Sequence, residues 1–157
     1  MKQSPYLNKV QESMKPGVIT LHGFLGSDSR NLIDILIEDD AAVKRKNLTH
    51  DLIAARMIEF RDSGAAGLGE FRRVPPHFEV KVDSVRGKLP CPFGEPGIHQ
   101  KTNITVRNTV LDREITYTDM HIHLVQMHGF YEGTGSPYRL NPGILMEVLE
   151  IESAENP

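Results

Sequence analysis

Hydrophobic positions along this chain follow two periods, and the switch between them falls near residue 75. Before it, Leu32, Ile33, Leu36, Ile37 and Val43 recur at helical spacing with acidic residues between them, which predicts a helix over 29–46 with Asp28 or Ser29 as its N-cap. Asn47-Leu48-Thr49 interrupts the pattern. Thr49 is placed to cap a second helix over 49–63 that carries Leu52, Ile53, Met57 and Phe60, with Leu48 set to staple against Ile53 and Ser63-Gly64 ending it. Upstream, residues 1–16 form a loose lead-in, 17–21 a short β segment, and 22–29 a glycine-rich loop.

Beyond residue 75 the pattern alternates. Phe78, Val80 and Val82 take turns with Glu79, Lys81 and Asp83, as in a strand with one face buried. A Gly/Pro-rich loop over 86–100 follows, then two strands over 102–110 and 113–127, joined at Leu111-Asp112. Residues 129–137 make a loop. Asn141-Pro142 opens a closing element in which Leu140, Ile144, Leu145, Val148 and Leu149 have helical spacing, although Gly143, Val148 and Ile151 also suit a strand. The expectation is one α+β domain over 1–157: a helical part at about 17–64, a mostly antiparallel sheet at about 75–128, and a closing segment at 129–157.

Composition narrows the class. A chain of 157 residues with 39% apolar and 25% charged residues can bury a core without staples. It contains no apolar run of about 20 residues, as a membrane span needs, and its N-terminal stretch has no signal-peptide core. A cytoplasmic protein is therefore expected, and the single Cys91, with no intrachain partner, agrees. Charge is unevenly spread: residues 71–113 carry eight Lys/Arg against four Asp/Glu, and 114–157 carry one against seven. That asymmetry suits an anionic ligand near the middle, or complementary faces that pair subunits into a homo-oligomer. The absence of Trp argues against a base-stacking platform for nucleic acid.

The candidate chemistry concentrates at 119–128, which holds His121, His123, His128 and Asp119. On a strand, Met120, Ile122 and Leu124 would face the core, and Asp119, His121 and His123 would share the other face at roughly 7 Å intervals. Two imidazoles and a carboxylate so spaced could ligate one divalent transition metal, with His99, His128 or Cys91 completing the set, or His121 and His123 could act as an acid/base pair. Arg107 or Arg113 could fix an anionic group. Cys91, between two prolines with Arg86 and Lys88 nearby, could line a ligand site or act as a nucleophile.

Two local resemblances offer other readings. Leu21-His22-Gly23-Phe24-Leu25-Gly26-Ser27 resembles the strand-to-loop segment of α/β-hydrolases, whose His-Gly loop supplies an oxyanion-hole amide; the G-x-S-x-G of that family is missing. Residues 40–64, through Ala41, Val43, Asn47, Leu48, Thr49, Ile53, Ala54 and Met57, resemble a helix-turn-helix, although the second helix offers few cations for phosphate. Three function classes stay open at this point: a protein binding a small ligand and a metal beside the His-rich segment, a DNA-binding regulator, and an assembly protein without catalysis.

Overall fold

The computed structural model describes residues 2–84 and 87–152. Arg86, proposed above as a neighbour of Cys91, and the last residues of the closing segment lie outside them. Helix α1 (Pro5–Ser13) is followed by α2 (Leu32–Lys44) and α3 (His50–Ala65). Strands β1 (Arg72–Val74), β2 (Phe78–Asp83), β5 (Asn103–Asn108) and β6 (Arg113–Thr118) form one antiparallel sheet in the order β1-β2-β5-β6. A separate hairpin, β3 (Lys88–Pro90) with β4 (Ile98–Gln100), is inserted between β2 and β5, and helices α4 (Asp119–His128) and α5 (Pro142–Val148) close the chain. This is the α+β class that the two periods predict.

Several local expectations hold. Thr49 caps α3, its hydroxyl accepting from the Leu52 amide at 3.1 Å, and Leu48 and Ile53 are both buried in one core. Asn141 caps α5 with Pro142 at its start, so the closing element is helical. Others shift: α2 begins after Asn31 rather than at Asp28 or Ser29, and 17–21 turns back on itself instead of forming a β segment, with Gly17 N–H donating to Thr20 O at 2.8 Å. Helix α1 and strand β1 fall in stretches where no pattern predicts them.

The main correction concerns 113–127. The strand ends at Thr118, and the His-rich segment is the helix α4. Thr118 caps it by accepting from the His121 amide, and the His121 ring returns the bond by accepting from the Thr118 amide: a capping box with histidine where Glu or Gln is usual. Gly129 ends the helix with φ 59°, and a Cβ there would lie 2.7 Å from His50 Nε2. The alternation that suggested a strand comes from a helix buried on two sides. Met120 and Leu124, four apart, face one core; Ile122 and Val125, three apart, face the other.

Those two cores define the architecture. One fills the space between the sheet and α3, α4 and α5, with Met57, Phe60, Phe78, Val80, Ile104 and Tyr117 at its centre. The other lies among α1, α2 and the loops, built from Met14, Leu32, Ile35, Phe93, Phe130 and Cys91. Part of the charge asymmetry is resolved within the chain, where Glu147 meets Arg113 at 3.4 Å and Glu150 pairs with His77. Among the described residues no helix is long and apolar enough to cross a membrane.

Candidate metal centre

On a helix, residues two apart point roughly 200° from each other. The turn from strand to helix therefore separates His121 from His123, and each belongs to a different side of α4. His123, four residues on from Asp119, keeps to its side of the helix, but His121 leaves it, and Asp119 pairs with Arg61 of α3 at 3.1 Å. The expected Asp119/His121/His123 face does not form.

His123 points toward the hairpin. There it meets His128 from the end of α4, together with Cys91 and Glu95 from the loop between β3 and β4. One ligand atom from each of these four residues lies within 4.8 Å of the others. Glu95 sits between the two imidazoles, with Oε2 2.9 Å from His123 Nε2 and Oε1 2.8 Å from His128 Nε2, and Cys91 Sγ is 3.7 Å from the same His128 nitrogen. Although close to Glu95, His123 Nε2 is off the axis of a hydrogen bond; it is buried and has no hydrogen-bond partner. A buried polar atom without a partner is rare and costs stability unless something else satisfies it. His99 lies just outside the four, its ring centroid 4.1 Å from that of His123.

The loop is built to hold this geometry. Gly94 N–H donates to Cys91 O at 3.0 Å, closing a turn with Pro92 in its second position and Gly94, at φ 85°, in its fourth. The turn places Cys91 and Glu95 side by side. Helix α1 fixes it from behind: Tyr6 OH donates to Phe93 O at 2.7 Å, and Ser13 Oγ donates to Pro92 O at 2.8 Å. Phe93 stacks flat on His128, with centroids 3.9 Å apart and planes 5° from parallel.

The electrostatics favour ligation at the imidazoles and oppose it at the thiol, which must lose its proton to bind a metal. Burial pushes the Cys91 thiol up, the nearby Glu95 carboxylate adds to that, and the Phe93 amide, 3.4 Å from Sγ, opposes it by favouring the thiolate. Burial lowers both His99 and His128, with His123 adding to it and the Glu95 carboxylate opposing it, so these imidazoles are biased toward the neutral form that binds metals.

His121 lies on the other side of α4 in a closed network. Its Nδ1 accepts from the Thr118 amide at 3.0 Å, so the ring proton resides on Nε2, which is 2.6 Å from Glu132 Oε2. Ser136 Oγ donates to the other Glu132 oxygen at 2.8 Å. These are the residue types of a hydrolytic triad in the wrong connection: the carboxylate, rather than the imidazole, receives the serine hydroxyl. The loop that resembles an oxyanion hole is also spent internally, since Gly23 N–H donates to Thr20 O and Phe24 N–H to Met14 O. Both ring nitrogens of His121 are occupied, and the pairing with His123 needed for an acid/base couple is absent.

The remaining sequence candidates lie elsewhere. Arg107 is on the outer face of the sheet, between Glu79 and Glu114 and over the Phe71 ring, and Arg113 meets Glu147. Neither contributes to the four-residue cluster. Helix α3 packs its Ile53, Ala54, Met57 and Phe60 face into the core and exposes Asp51, Glu59 and Asp62, the last two paired with Arg56 and Arg61 of the same helix. Of the predicted ligands, His123, His128 and Cys91 come together and His99 stands beside them; Asp119 and His121 do not join. Glu95 was missed because a carboxylate in a Gly/Pro-rich loop leaves no periodic signal. Comparison with protein-family models, curated proteins and solved structures gives no match to this chain.

Proposed function

We propose that this protein binds one zinc ion through Cys91, Glu95, His123 and His128, and that the ion fastens the β3–β4 hairpin onto α4. The observation that carries this reading is the convergence of four donors around a buried imidazole nitrogen with no hydrogen bond of its own. One thiolate, two imidazoles and a carboxylate suit zinc in a tetrahedral site, where ligand atoms lie roughly 3.3–3.8 Å apart for bonds of about 2.0–2.3 Å. To reach that spacing the Glu95 carboxylate draws back slightly from the two imidazoles while the wider-spaced donors close in. With four protein donors the site has no open coordination position, which favours a structural role over a catalytic one.

The test is calorimetric titration with zinc at neutral pH, paired with cobalt(II) absorption spectra. Wild type should bind one equivalent, and the cobalt form should show thiolate charge-transfer and intense tetrahedral bands. Cys91→Ser should abolish the charge-transfer band, and His123→Ala/His128→Ala should weaken zinc binding at least 100-fold, while His121→Ala should leave zinc affinity within threefold of wild type. Absence of binding to wild type, or equal affinity in the double variant, overturns the reading.

A further inference from the structure

A cavity of about 560 Å³ opens on the His121 side of α4, a size typical of small-molecule sites. Its walls come from the 19–24 loop, the β3–β4 hairpin and the residues that follow it, and the start of α4. None of the four proposed zinc ligands lines it.

What remains unsatisfied in this cavity identifies the ligand it suits. The back wall is chemically saturated: His121, Glu132 and Ser136 bond one another, and Glu132 is the only carboxylate in the lining. Lys101, in contrast, is half-buried, and among the described residues no carboxylate lies within ion-pair distance of it. The start of α4 faces the same space through Thr118 and Met120, adding the positive end of the helix dipole. The wall thus offers one cation with no carboxylate paired to it and no arginine, so it lacks the planar fork that grips a phosphate with paired bonds. Phe24, Leu89 and Met120 supply apolar surface, and Leu21, 78% exposed, stands in the same lining.

We propose that this cavity binds a small organic monocarboxylate, with the carboxylate on Lys101 and the apolar body against Phe24, Leu89 and Met120. The site is independent of the zinc reading, since none of the proposed metal ligands lines it.

The experiment titrates the full chain with octanoate, phenylacetate, octanol and phenyl phosphate by calorimetry, and follows backbone amide shifts by NMR. At least one carboxylate should bind in a 1:1 ratio, moving the amides of Phe24, Leu89 and Met120, with octanol at least tenfold weaker than octanoate. Lys101→Met should weaken the carboxylate at least tenfold. Lys88→Met, a change on the hairpin outside the lining, should leave it unaltered, and matched melting curves confirm that both variants fold. No carboxylate binding, equal binding to Lys101→Met, or tighter binding of phenyl phosphate than of phenylacetate overturns the proposal.

Discussion

His121 and His123 are separated by one residue on the same helix, and their surroundings are opposite. Around His121 each described polar group has a partner: the ring bonds Thr118 and Glu132, Glu132 receives Ser136, and its carbonyl receives Arg139, which in turn grips Asp39 through two bonds of 2.7 and 2.8 Å. Around His123 the donors converge but leave its Nε2 without a hydrogen bond. A closed network stabilises one arrangement and leaves little capacity for a ligand. Convergence without closure is what a metal requires of its site before it binds. Histidine count alone cannot separate the two cases; the pairing of each ring nitrogen does.

The strongest test of the closed side is Arg139→Met. It leaves Asp39 and the Glu132 carbonyl buried without their partner, and should cost about 3–5 kcal/mol in urea unfolding. A loss under 1 kcal/mol would show that water replaces the guanidinium, and the contrast would weaken. The matching test of the open side is thermal. At free zinc a thousandfold above Kd, wild type should gain about 4 kcal/mol of stability and a higher Tm, a gain that Cys91→Ser forfeits. An equal rise in both would place the metal elsewhere.

Acid sharpens the comparison through the loop that contacts the closed network. The Arg30 guanidinium, helped by the Thr134 amide and hydroxyl, holds the Asp28 carboxyl far below the usual carboxylate range. Its folded value is depressed, so the stability it contributes is fully present above the unfolded value of about 3.9 and is lost as pH falls toward the folded one. The stability difference between wild type and Asp28→Asn should be constant above about pH 5 and shrink below about pH 4. A difference independent of pH would remove the charge from the argument. Smallest is Thr49→Ala, which should cost about 1 kcal/mol through the lost cap of α3 and leave zinc binding unchanged.

The sequence revealed elements whose burial is one-sided. Phe78, Val80 and Val82 pack one face of β2 inward, so their alternation was legible, and the caps at Thr49 and Asn141 act within three residues. It misled at α4 because that helix sits between two cores, and two helical stripes superpose into an apparent period of two. Thr118 before the segment and Gly129 after it were the available signals, and a helix between them separates His121 from His123 at once. The site was half legible: His123, His128 and Cys91 were among the candidates, but their meeting depends on a hairpin folding across α4, a contact some 30 residues long-range that no local pattern encodes.

The two bonds from α1 to the Cys91 loop bear on metal exchange. Tyr6 and Ser13 hold the carbonyls of Phe93 and Pro92, so two of the four proposed ligands are carried by a turn that cannot swing away while α1 stays docked. Release of a chelated ion requires its ligands to part in sequence, and a turn clamped from behind slows the first parting. The N-terminal helix, which contributes none of the four proposed ligands, would then govern how long the ion resides.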